Sequence, residues 1–172
     1  MATDQKVGGS NPPGRTMVTH ESWMEQAFQE AEKAFERGEV PIGAVVVAEG
    51  RIIGRGHNMV ESLQDPTAHA EIIAITAAAN YFGSWRLENT TLYVTKEPCP
   101  MCAGAIYLAR VPHVVYGVSD SRMGACGSTE NILQNLKLRS NVALTSGILE
   151  SKCLVILQAF FHKLRERDDQ ER

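Results

Sequence analysis

The sequence predicts one α/β domain, a three-layer α/β/α sandwich around a five-stranded mixed sheet. Three observations predict it. Two β-branched runs meet at Glu49-Gly50 with room for only a hairpin turn between them. Three later strand-like segments alternate with helical ones, the pattern of βα crossovers. A chain of 172 residues, 44 % apolar and 22 % charged, supplies one proper hydrophobic core and not two.

Residues 1–16, MATDQKVGGSNPPGRT, are polar, rich in Gly, Pro and Ser, and carry no hydrophobic period, so disorder is expected there. Gly9 to Pro12 read GSNP, which the T-arm consensus of a tRNA gene encodes in frame. On that reading the first residues come from an upstream tRNA gene and Met17 is the native start; a single domain then spans residues 17–167. Ser22 and Glu25 have capping-box spacing, and Met24, Ala27, Phe28, Ala31, Ala34 and Phe35 follow at helical intervals until Gly38. The hairpin IGAVVVAEGRIIGRGHN comes next. A helix is expected from Thr67 to Asn80, a strand over 90–95, and a helix over 99–110 after the Glu97-Pro98 entry. HVVYGV (113–118) reads as a strand. Residues 119–141 read as loop with a short helix near Asn131 to Leu138, and 142–148 as the last strand. A closing amphipathic helix, Leu149 to Arg167, carries Cys153, Leu157, Phe160, Phe161 and Leu164, and residues 168–172 form a polar tail.

No window approaches the run of about 18 to 20 apolar residues that spans a bilayer, and the N-terminus has no secretory apolar stretch. Four cysteines without an export signal point to a reducing cytoplasm, where thiols hold metal or do chemistry. The net charge of −3 argues against a general nucleic-acid coat protein but allows a local basic patch.

Chemistry concentrates in two short stretches. DPTAHAEIIA places His69 and Glu71 at the opening of an otherwise apolar helix. EPCPMC places Cys99 and Cys102 at another helix start, where exposed N–H groups favour thiolates. One imidazole and two thiolates suit a zinc ion whose fourth position stays open to water. Glu71 is then free to sit beside that water and carry protons. The blander reading is a closed structural zinc site completed by Cys126 or Cys153.

His69-Ala70-Glu71 together with Pro98-Cys99-Pro100-Met101-Cys102 resembles the zinc nucleobase deaminases. The stretches DPTAHAEI, TLYVTKEPCPMCAGAI, YGVSDSRMGACGS and the closing GILESKC…FF narrow the resemblance to bacterial tRNA-specific adenosine deaminases, from about Ser22 to Phe161. The resemblance implies the cytidine-deaminase-like fold, one zinc per subunit, a homodimer, and an anticodon stem-loop of tRNA as substrate. It implies His69, Cys99 and Cys102 as zinc ligands. Glu71 would move protons from the zinc-bound water to ring nitrogen 1 and then to ammonia. Asn58 would hydrogen-bond the flipped nucleoside, Ile42, Ala70 and Pro98 would line the pocket, and Asp120 would meet a 2′-hydroxyl. Arg122, Arg139, Phe161 and Arg165 are the further candidates for RNA contact. The chain departs from the family at residues 134–141, QNLKLRSN, where Arg139 replaces the usual asparagine. Two other readings stand beside this one: a free-base or nucleoside deaminase such as a guanine deaminase, whose helix CPMCAGAIYLAR resembles, and a catalytically silent zinc module that binds RNA or protein.

Overall fold

Helix α1, His20–Glu36, opens residues 17–172, the part of the chain that the computed structural model describes; the expectations for residues 1–16 lie outside the described residues. Thr19, not Ser22, caps it: the Ser22 N–H donates to Thr19 Oγ1 at 3.2 Å, so Ser22 sits in the first turn. Strands β1 (Gly43–Ala48) and β2 (Arg51–His57) form the expected hairpin. A one-turn helix, α2 (Val60–Leu63), was not legible in the sequence. Helix α3 runs Ala70–Phe82, β3 Thr91–Lys96, α4 Pro100–Ala109 and β4 His113–Val118. Strand β5 is only Ala143–Thr145, because Gly147 at φ +79° turns the chain out of the sheet towards α5, Glu150–Gln170.

The helix expected over Asn131 to Leu138 is absent. Asn131 Oδ1 accepts the Gln134 N–H at 3.0 Å, and Asn135 Oδ1 accepts the N–H groups of Lys137 and Leu138 at 2.9 and 3.3 Å. These asparagines turn the backbone locally and take donors a helix would have used.

The sheet order is β2-β1-β3-β4-β5, with β1 antiparallel to both neighbours and β3, β4 and β5 parallel. Period-two alternation sends Ala44, Val46, Leu92, Val94 and Val114 to one face, where Ala70, Ala74 and Ala78 of α3 and Ala103 and Ile106 of α4 cover them. Val45, Val47, Tyr93 and Val115 face Met24 and Ala27 of α1, while Cys153 and Leu157 of α5 pack with Phe28 and Val118. The three-layer α/β/α sandwich on a five-stranded mixed sheet is therefore as expected. Helix α3 lies unusually close to β2. A Cβ on Gly56 would meet the Ala70 carbonyl oxygen at 2.3 Å, so only glycine lets the start of α3 press against the strand that leads to Asn58.

Candidate active site

Two helix N-termini meet at one end of the sheet, and each presents a ligand-type side chain from its cap position. His69 is the N-cap of α3 (φ −78°, ψ 153°) and Cys99 the N-cap of α4 (φ −74°, ψ 172°). Neither side chain caps its own helix, so both are free to point away from it. Two residues spaced two apart within a helix do not share a face, but His69 and Glu71 are not both inside one. His69 lies outside the helix on extended backbone while Glu71 is the second residue within it, and their side chains need not diverge by a helical angle. Pro100 sits in the first turn of α4, where its missing N–H costs nothing, and Cys102 follows two residues on.

Cys99 Sγ lies 3.6 Å and Cys102 Sγ 3.5 Å from His69 Nδ1, and the ligand atoms of all three residues lie within 4.8 Å of one another. Zinc–sulfur and zinc–nitrogen bonds of ordinary length at a tetrahedral angle would put S and N roughly 3.6 Å apart. The triangle is therefore spaced for zinc, and three protein donors leave a fourth position open. Cys126 and Cys153 do not belong to the group, and Cys153 packs on the opposite face of the sheet, which overturns the closed four-ligand reading.

The electrostatics of the triangle suit a cation. Hydrogen bonds from Cys102 first, and also from His69, bring the Cys99 thiol down to about 4. Cys102 is pushed far up because it is the donor to Cys99 and is buried. The Cys99 bond raises the imidazole of His69. A metal would displace the Cys102 proton and give two thiolates. Glu71 is buried at 4 % exposure, and that burial holds its carboxyl above the usual carboxylate range. A raised pKa makes the carboxylate a better proton acceptor and brings its two protonation states closer in energy near neutral pH, which is what a proton shuttle needs.

A cleft of ≈ 560 Å³ opens beside His69, within the size range of small-molecule sites. Ile42, Asn58, Ala70 and Phe161 line it. Pro98 does not: it is buried, its carbonyl accepts the Ala125 N–H at 2.9 Å, and it serves to pin a loop. A second groove of ≈ 480 Å³ contains Lys96, Asp120, Arg122, Phe161 and Arg165, so Phe161 borders both depressions. The Asp120 carboxylate is engaged within the protein, paired with Lys96 at 2.7 Å and accepting the N–H groups of Arg122 and Met123 at 2.9 and 3.3 Å. Arg139 is not brought to either depression. It lies at φ 53° in a separate groove with Trp85, Tyr107, Leu108 and Arg110.

Two buried carboxylates that hold segments of the site escaped the sequence reading. Glu97, 3 % exposed, accepts the N–H groups of Asp120, Cys126 and Ser128 at 2.8, 3.1 and 3.1 Å, and the Ser128 hydroxyl. It fixes the loop that carries Asp120 and Arg122. Glu39, 1 % exposed, does the same for the segment after Asn58. The signal for both was a glutamate set among apolar residues, in GEVPIGAVV and VTKEPCP.

Residues 18–165 match the MafB19-like deaminase family. The tRNA-specific adenosine deaminase of Bacillus subtilis (strain 168) is 49 % identical over 151 residues, 88 % of this chain and 94 % of that protein. The tRNA-specific adenosine deaminase of Haemophilus influenzae is 46 % identical over 147 residues, 85 % of each chain. Among solved structures, one from a study of A-to-I editing by tRNA:A34 deaminases at the wobble position of transfer RNA superimposes with a TM-score of 0.76 at 44 % identity, covering 78 % of this chain and 98 % of that one. A guanine deaminase from Bacillus subtilis superimposes with a TM-score of 0.58 at 35 % identity, covering 73 % and 83 %.

Proposed function

The chain belongs to the MafB19-like deaminases and to the bacterial tRNA-specific adenosine deaminases, and from that premise we propose that it converts adenosine to inosine at the first anticodon position of tRNA. The supporting observation is one arrangement. A triangle spaced for zinc, with Glu71 buried near it, stands beside a cleft that shares Phe161 with a groove holding Lys96, Arg122 and Arg165. A free base needs only the cleft; a strand needs the neighbouring groove as well.

In this mechanism His69, Cys99 and Cys102 hold zinc, which supplies Lewis-acid activation of water near neutral pH. Glu71 takes a proton from the attacking water and delivers it to ring nitrogen 1. The water oxygen adds to carbon 6. Glu71 then takes the remaining proton from the new hydroxyl on carbon 6 and hands it to the amine as the carbon–nitrogen bond breaks, so that adenosine and water become inosine and ammonia. Ile42 and Ala70 wall the flipped base, and Asn58 hydrogen-bonds the nucleoside. Phe161 stacks on a flanking base, while Arg122 and Arg165 meet phosphates. Asp120 uses three of its roughly four acceptor positions on the protein, leaving one for a ribose 2′-hydroxyl.

The assay offers zinc-loaded protein an anticodon stem-loop with adenosine at the first anticodon position, beside free guanine, adenine, adenosine and cytidine. Inosine in the digested stem-loop with no turnover of the free compounds is expected. Turnover of guanine with an untouched stem-loop would replace this reading with a free-base deaminase.

The working unit in this proposal is a homodimer in the cytoplasm, packed through the outer face of α4. Met101, Gly104, Ala105 and Leu108 share that face, and Leu108 is 69 % exposed. A Cβ on Gly104 would meet nothing within the chain, although a glycine inside a helix costs about 1 kcal/mol against alanine. Close approach of a second copy accounts for that cost. Gly104→Leu is expected to shift the protein from dimer to monomer in sedimentation while its circular dichroism stays unchanged; an unaltered dimer would move the interface elsewhere. Among the described residues no helix is long and apolar enough to cross a membrane.

A further inference from the structure

Glu39 lines the cleft and is almost fully buried, yet its partners are neutral donors. Its carboxylate accepts the Ser62 N–H at 2.6 Å, the Ser62 hydroxyl at 2.8 Å, the Glu61 N–H at 3.2 Å and the Asn58 Nδ2–H at 3.4 Å. Helix α2 has no cap of its own, since Met59 stands at its N-cap position without a side-chain bond. Glu39 takes the second and third N–H groups of α2, the donors a capping side chain would take, from a distant part of the chain. The same carboxylate thus holds both Asn58 and the segment that runs on to His69, where the Met59 N–H donates to the Ala68 carbonyl at 2.9 Å.

The chemistry of the pair fixes which way the Asn58 amide faces. An ionised carboxylate only accepts, so the Asn58 NH₂ must turn towards Glu39 and its carbonyl oxygen away. We infer that Glu39 is a positioning residue that locks the Asn58 amide so that Oδ1 faces the cleft, making Asn58 an acceptor for a hydroxyl or amino donor on the substrate. This rests on the reading of the cleft as the nucleoside site.

A polarity swap tests it. In Glu39→Gln, the new amide oxygen still serves the two Ser62 donors, but the new NH₂ replaces the oxygen that the Glu61 N–H and Asn58 share, so it faces the NH₂ of Asn58 and drives that amide to flip. In Asn58→Asp, two carboxylates face each other. In the double variant, the amide NH₂ introduced at position 39 donates to one oxygen of the carboxylate introduced at position 58. The other oxygen of that carboxylate then faces the cleft, restoring the acceptor. Steady-state kinetics, zinc content and thermal melting would be measured for all four proteins on whichever substrate the wild type turns over. Glu39→Gln is expected to lower kcat/KM about 10- to 100-fold and Asn58→Asp by at least as much, with the double variant within about tenfold of wild type. Losses that simply multiply in the double variant would overturn the inference. So would a double variant no more active than Asn58→Asp, and that comparison decides the matter even if Glu39→Gln alone folds poorly. A wild type that turns over only a free base would refute the substrate reading, while the same four proteins would still decide the role of Glu39.

Discussion

Glu71→Ala is expected to lower deamination of the stem-loop by roughly 10²- to 10⁴-fold while zinc stays at one per chain. Glu71 belongs to α3 but not to the triangle, because His69 supplies the only ligand from that part of the chain. Removing the carboxylate therefore removes the proton path and leaves the metal donors where they are. Glu71→Gln should behave alike, since an amide keeps the shape and cannot carry the proton. Stability provides an independent check. Burial raises the folded-state pKa of Glu71, so ionising it opposes folding once the pH exceeds the unfolded carboxyl pKa, and that cost grows until the folded pKa is reached. Metal-free Glu71→Gln should then melt no lower than metal-free wild type at neutral pH, and relatively higher there than at about pH 4, near the unfolded carboxyl pKa. A variant that lost activity together with zinc would show that Glu71 builds the site instead of working in it. A variant that kept full activity would show that a group other than Glu71 carries the proton.

The layers and strands were legible because GAVVVA, TLYVT and HVVYGV are short β-branched runs, buried almost throughout as strands covered on both faces are, and a two-residue Glu-Gly turn admits little besides a hairpin. The residues of the triangle were legible from their types and spacing. Their positions were less so. Histidine is not among the favoured N-caps, so nothing local announced that α3 begins after His69, whereas Pro100 at the first turn did mark the start of α4. Tertiary demand set those boundaries: each cap position is where a side chain can leave the helix axis and reach its counterpart. The segment 131–138 misled for the opposite reason. Its Leu and Lys spacing suits a helix, but Asn131 and Asn135 use their side chains on nearby N–H groups. Glu39 and Glu97 act through bonds to residues 19 to 31 positions away, which no local pattern reveals.

Cys102→Ala should cost more than Glu71→Ala, because it removes a ligand and not a proton carrier. Cys102 is fully buried at the start of α4, and only two donors of the triangle would remain, too few for a tetrahedral site. Zinc is expected to fall below about one-tenth per chain after gel filtration, and activity to the uncatalysed level. The fold should survive, since the helices pack on the sheet through clusters of alanine, valine and leucine that owe nothing to a metal. Circular dichroism would therefore stay close to wild type while the melting temperature loses only what zinc binding adds. Cys126→Ala gives the contrast. Cys126 is buried close by but outside the ligand group, so its variant should keep zinc and activity. The two results together separate the catalytic reading from the structural one. If zinc were a closed structural ion, losing either a true ligand or Cys126 would empty the site and unfold the chain. If it is the open catalytic ion inferred from three donors and a cleft, Cys102→Ala yields a folded, inert protein whose groove past Phe161 still takes the stem-loop.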